Sequence, residues 1–297
     1  MKVCRVVILA IFAVGIGRHG STAEPIPVFV TIAPQKYFVQ QIGKDLVDVQ
    51  VMVQPGADAH TYEPKPQQMV AIAKAKLYFA MGIEFEEANL DKIVAINPNL
   101  KVVHTEQGID KIPMAAHHHY HDEDGEHHQE GEHGHSGLDP HIWLSPPLVK
   151  IQAQTILSAL QEIDPSHRIV YEANYREFIS EIDALDAELK KTFAGRQGLQ
   201  FIVFHPAWGY FAQAYGLRQV PIEIEGKDPK PAQLKELIEH ARQKGIRVVF
   251  VQPQFSTKSA ELVAKEIGGQ VAFADPLAED WMANLRKVAG AFMASLK

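Results

Sequence analysis

Three histidines and one aspartate stand at positions where the backbone is held and a side chain is free to act as a ligand. His60 lies in "QPGADAHTYEPKP", where a glycine and prolines fix a turn after an apolar run. His205 closes "LQFIVFH" ahead of Pro206, Asp275 closes "GQVAFAD" ahead of Pro276, and His141 follows Pro140 in the rigid segment "LDPHIWLSPP". Three imidazoles and a carboxylate form a hard-to-borderline donor set for a first-row divalent cation, and zinc accepts such an N3O set tetrahedrally. Each histidine taken alone reads better as a hydrogen-bonded structural residue. Their shared placement at strand ends favours the metal reading.

A second histidine group is of another kind. "HHHYHDEDGEHHQEGEHGH" places His117, His118, His119, His121, His127, His128, His133 and His135 among acids and glycines, eight of the fifteen histidines of the chain. A stretch this polar cannot build a core, so a loop at the mouth of the site is expected, binding further ions weakly and secondary to the four residues above. A tolerated insertion without a role explains the composition equally well. Of the remaining histidines, His104 ends a strand and reads as structural, while His167 and His240 sit on helical patterns among charged residues and read as solvated.

The elements that must position these groups follow from periodicity. Strands are expected at 28–33, 47–53, 76–82 and 100–105, and again at 199–205, 219–223, 246–252 and 269–275, separated by helix-like segments such as "KPQQMVAIAKA", "PAQLKELIEHARQKG" and "STKSAELVAKEIGG". Alternation of this kind predicts an α/β fold of two (β/α) lobes with parallel sheets. Ligands of open α/β sheets sit beyond the carboxyl ends of the strands, so each lobe would present donors to one shared cleft. Between the lobes, Tyr171, Tyr175, Phe178, Ile182, Leu185 and Leu189 recur at helical spacing, bounded by Pro165 and Gly195. One long linking helix is predicted there, a stiff strut that limits how far the lobes swing, each lobe keeping its own core.

Composition narrows the class. The chain has 297 residues, 46% of them hydrophobic and 22% charged, enough for a sizeable core. A formal net charge of -7, with no basic stripe, argues against a nucleic-acid partner. At the N-terminus, Lys2 and Arg5 precede an apolar run from Val6 to Ile16 and small residues at Ser21 and Ala23, the pattern of a signal peptide cleaved before Glu24. Cys4, ahead of that run, is the single cysteine, so the mature chain would hold its metal with nitrogen and oxygen alone. The expected division is a signal peptide at 1–23, an N-terminal lobe at 24–163 carrying the histidine-rich loop at 117–137, a linking helix at 164–195 and a C-terminal lobe at 196–297.

The stretches "PGADAHTYEPKPQQM", "LDPHIWLSP", "YEANYREFISEIDALDAEL", "FHPAWGYFAQAYGL", "PAQLKELIEHARQKGIRVVFVQPQFS" and "FADPLAEDW", with the acidic histidine-rich insertion, resemble the ZnuA-like zinc-binding periplasmic receptors of bacterial ABC importers. The resemblance covers essentially the whole mature chain. It implies two lobes on one long helix, a tight Zn2+ site between them, no enzymatic activity, a membrane permease as partner, a periplasmic location and a monomer. His60, His141 and His205 match the three histidine ligands of the family, and Asp275 matches the carboxylate that the second lobe contributes in many relatives. Manganese-binding relatives carry glutamate where this chain has His205, and imidazole in that place favours zinc. Some zinc receptors have an acid just before the first histidine; here Ala59 stands there, leaving the fourth position to Asp275 or a water. The disulfide of some relatives is excluded. Two other readings are a secreted zinc hydrolase and a manganese-type receptor or adhesin of the same fold. For the hydrolase, no H-E-x-x-H pair or nucleophile motif occurs.

Overall fold

The computed structural model describes residues 24–115, 137–224 and 227–295. Residues 1–23, expected to be a signal peptide, and all eight histidines of the tract lie outside the described residues. The first sheet is built from β1 (Ile26–Val30), β2 (Val47–Val51), β3 (Leu77–Ala80) and β4 (Lys101–His104), all parallel, in the order β2-β1-β3-β4. The second repeats it with β5 (Gln200–Val203), β6 (Arg218–Pro221), β7 (Val248–Val251) and β8 (Gln270–Phe273) in the order β6-β5-β7-β8. Every residue of β3, "LYFA", is buried, the signature of a strand covered on both faces.

Parallel neighbours need crossovers. In the first half these are α1 (Ala33–Gly43), α2 (Pro66–Ile72) and α3 (Glu84–Ile96); after β4 come α4 (Pro146–Ile163) and α5 (Arg168–Thr192). In the second half α6 (Gly209–Tyr215), α7 (Pro231–Gln243) and α8 (Lys258–Glu266) make the crossovers, and α9 (Trp281–Ser295) closes the chain. Helices α7 and α8 end at Gly245 and Gly268, whose φ of +68° and +64° suits glycine in the left-handed turn that follows them. In both sheets the strand order reverses beside the first strand, so each has a crevice at its carboxyl edge.

Pro165 opens a single 3₁₀ turn, and α5 then runs 25 residues without a break. The stripe predicted from sequence is the buried one: Tyr171, Phe178, Ile182, Leu185 and Leu189, with Tyr175 partly buried beside them. Helix α5 packs on α1, α4 and α9, and so touches both halves.

Here the structure departs from the expectation of two separate cores. One apolar cluster runs from Val28 and Phe79 of the first sheet through Phe178 and Leu185 of α5 to Phe201, Phe250 and Phe292 of the second half. Stacking of Phe201 on Phe292, with ring centres 4.1 Å apart, belongs to this shared core. A smaller cluster, including Ile202, Val249, Leu237 and Val263, lies between the other face of the second sheet and helices α7 and α8. Among the described residues, no helix is long and apolar enough to cross a membrane.

Candidate metal centre

Loops that leave the carboxyl ends of β2, β3, β5, β6, β7 and β8, and the segment before α4, meet between the sheets. His60 leaves the loop after β2, where its backbone N–H donates to Asp58 Oδ1 at 2.9 Å and Thr61 donates its hydroxyl to Asp58 Oδ2 at 3.0 Å. That loop is tied down from behind: Gln68 Oε1 accepts from the Tyr62 hydroxyl and the Lys65 N–H, while its amide donates to the Met52 carbonyl. His141 opens a 3₁₀ turn over Ile142–Leu144, its own N–H donating to Asp139 Oδ1 at 2.8 Å. His205 follows β5, and its peptide is gripped from both sides by Gln252, which accepts from the His205 N–H at 3.2 Å and donates to its carbonyl at 2.7 Å.

The three imidazoles converge. One ligand atom from each of His60, His141 and His205 lies within 4.8 Å of the other two. Nε2 of His205 and Nε2 of His141 are 3.2 Å apart, and His60 has its ring centre 5.1 Å from that of His205 and 5.8 Å from that of His141. His141 and His205 are buried, and His60 keeps a quarter of its side chain exposed. Behind each ring stands a carboxylate on Nδ1: Glu84 at 2.8 Å from His60, Asp139 at 2.7 Å from His141 and Glu223 at 2.7 Å from His205. A carboxylate there fixes the proton on Nδ1, leaving the Nε2 lone pair for a metal and raising its basicity. Two such lone pairs 3.2 Å apart repel unless a proton or a cation lies between them.

Three carboxylates stand around three imidazoles, an excess of acidic groups that suits a divalent cation. Burial pulls the His60 pKa down, yet the hydrogen bond and charge of Glu84, with Asp58 and Glu223, carry it above the ordinary histidine value. For His141 burial wins: it holds the pKa below the ordinary value, with His205 and His60 acting the same way and Asp139 opposing. The hydrogen bond from His60 brings the Glu84 carboxyl down to about 2 against the opposing effect of burial. Around the cluster, Ile83, Trp143, Phe255, Pro276 and Leu277 make an apolar rim, with Phe255 stacked on His205 at 5.0 Å.

Asp275, the fourth expected ligand, is not brought into this group. Its Oδ1 accepts from Gln254 at 3.0 Å and from the Leu277 N–H at 2.9 Å, so the carboxylate holds the turn after β8. His104 is structural as expected, paired with Glu106 at 2.9 Å. His167 meets Asp164 at 2.6 Å and stays partly exposed. His240 differs from its reading as a solvated group: it is buried, with Nε2 2.6 Å from Gln200 Oε1. Leu237, His240 and Ala241 share the inward stripe of α7, so the spacing of that stripe was the available signal. Sequence reading also missed the three carboxylates. Asp139 carried a signal in its spacing, two residues ahead of His141, while Glu84 and Glu223 are 24 and 18 residues from their partners.

Two parallel-sheet lobes with inward-facing side chains at their facing carboxyl edges define the two-lobed solute-binding class. Residues 28–294 match the ZnuA family model, described as "Zinc-uptake complex component A periplasmic", and the chain belongs to that family. It is 31% identical over 259 residues to the "High-affinity zinc uptake system protein ZnuA" of Bacillus subtilis (strain 168), covering 86% of this chain and 79% of that one. Among solved structures, one titled "Crystal structure of ZnuA" is 43% identical with a TM-score of 0.83, covering 92% of this chain and all of that one. A "138-173 ZnuA deletion mutant plus zinc bound" is similar at the same identity and TM-score, covering 92% of this chain and 98% of that one.

Proposed function

We propose that this chain captures Zn2+ between its lobes, in the periplasm, and delivers it to the membrane permease of an ABC importer. Family membership supports the zinc-uptake role and a receptor in place of an enzyme. The observation that carries the assignment to particular residues is the convergence of His60, His141 and His205, each backed by a carboxylate on Nδ1. An all-imidazole set of this kind prefers zinc to the harder manganese ion. With Asp275 outside the histidine group and its Oδ1 accepting from Gln254 and Leu277, a water completes the tetrahedron in this reading.

An open, water-bearing position is also what a hydrolase needs. Asp58, the acid lining the cavity, is however turned onto the His60 amide and the Thr61 hydroxyl, and so is not poised as a general base. In this reading the leader 1–23 is removed on export, 24–163 and 196–297 are the lobes, 164–195 links them, and the mature receptor acts as a monomer. The tract holds further zinc weakly through its eight histidines.

Titration of the mature protein with zinc at pH 7 tests the reading. One tight event is expected that survives deletion of residues 117–135 and is lost in His60→Ala, with no turnover of ester, peptide or phosphoester substrates. Loss of the tight event on deleting the tract would contradict the assignment to the cleft.

A further inference from the structure

We propose that Trp143 and Trp281 form a reciprocal latch that fastens His141 to the second half of the molecule, making both indoles positioning residues of the metal centre. This rests on the reading of the histidine trio as a zinc site and adds which parts of it move together.

By sequence, His141 lies between β4 and α4 and so belongs with the first sheet, to which the Asp139 N–H is tied by its bond to the Ile112 carbonyl at 2.8 Å. Side chains of the second half hold the same segment from the other side. The Trp143 indole N–H donates to the Pro276 carbonyl at 2.7 Å, and the Trp281 indole N–H donates to the Trp143 carbonyl at 2.7 Å. Tyr210, on α6, donates its hydroxyl to the Asp139 carbonyl at 2.8 Å and accepts from the Ile112 N–H at 3.1 Å. Gly209 comes so close that a β-carbon there would sit 2.6 Å from Asp139 Oδ2, the other oxygen of the carboxylate behind His141. Both tryptophans are buried, at 2% and 1% exposure, and the Trp143 ring centre lies 5.1 Å from that of His141.

An indole has one donor in a fixed plane, so a single geometry satisfies each bond. Breaking either one leaves a buried N–H and a buried carbonyl without partners. The segment 139–143 is thereby fastened to the second half, and the spacing of His141 to His205 is held by these bonds.

His60 is on the other side of that boundary. The side-chain hydrogen bonds of its loop go to Val51, Asp58, Gln68 and Glu84, all in the first half. The centre thus consists of a fixed pair, His141 and His205, and one approaching ligand, His60. Its affinity depends on the latch holding the pair at the right spacing before His60 arrives.

The test uses Trp143→Phe and Trp281→Phe, each removing one N–H while keeping an aromatic ring. Lys36→Met serves as the control; it removes the 2.7 Å Lys36–Glu279 ion pair between the same halves and none of residues 139–143. Zinc affinity is read by chelator competition on folded protein, and ligand geometry by the visible spectrum of the Co2+-loaded form. Both phenylalanine variants are expected to lose at least about tenfold in zinc affinity, the scale of lost ligand-orienting contacts, and to shift the cobalt bands. Lys36→Met is expected to keep both. Folded phenylalanine variants with wild-type affinity and an unchanged cobalt spectrum would overturn the latch, leaving the indoles merely structural. Should Trp143→Phe not fold, Trp281→Phe carries the test by the same readings. A wild-type protein that takes up neither ion would overturn the site reading and the latch with it.

Discussion

At the scale of single residues, the imidazoles were legible because glycine, proline and strand-end context marked where they must sit. What they bond to was not. A strand-end carboxylate such as Asp275 serves equally well as a ligand or as an acceptor for the turn that follows, and Leu277 N–H and Gln254 claim it here. Glu84 and Glu223 come from other loops altogether, and only the folded chain joins them to His60 and His205. Those carboxylates bear on pH. A proton and a metal compete for the same Nε2, so each histidine weakens binding as the pH falls through its own pKa. His60, raised chiefly by Glu84 against the pull of burial, protonates at a higher pH than His141, which burial lowers. Zinc affinity measured from pH 8 to pH 5 should therefore begin to fall above the ordinary histidine value of about 6.5 and steepen below it. An affinity that stays flat across this range would contradict imidazole ligation.

At the scale of elements, the eight strands lie where alternation with helices predicted them, each shorter than expected and each ending one to three residues earlier. Val30 is the last residue of β1, and Thr31 already caps the chain's turn into α1 by donating its amide to Gln35 at 2.9 Å. Helix α5 was legible as one long helix, running Arg168–Thr192 within the expected 164–195, since a stripe of apolar residues at helical spacing without interior glycine or proline has one low-energy solution. Which surfaces it would join was not, because a stripe does not name its partner. Leu185, fully buried among residues of both halves, offers a direct check. Leu185→Ala should destabilise the protein by about 2–5 kcal/mol in denaturant titration, the range for emptying a buried leucine site. A change below about 1 kcal/mol would mean that α5 is a strut alone and not part of the core.

At the scale of the whole molecule, pseudo-symmetry was readable from the repeat of strand and helix patterns, and the two sheets share one strand order. The sharing of one core was hidden, since it arises from α5 and α9 packing across the boundary. A continuous core couples the lobes, so thermal unfolding of the metal-free protein followed by far-ultraviolet circular dichroism and by tryptophan fluorescence should give coincident single transitions. Two separated transitions would show lobes that fold independently. In either case three imidazoles from the two halves face one point, where we propose the metal is held. Crystals of the zinc-loaded protein, measured at the zinc absorption edge, test this most directly. The anomalous peak should lie about 2.0–2.1 Å from Nε2 of His60, His141 and His205, the normal zinc–imidazole distance. A principal peak outside bonding distance of those three atoms would contradict the account.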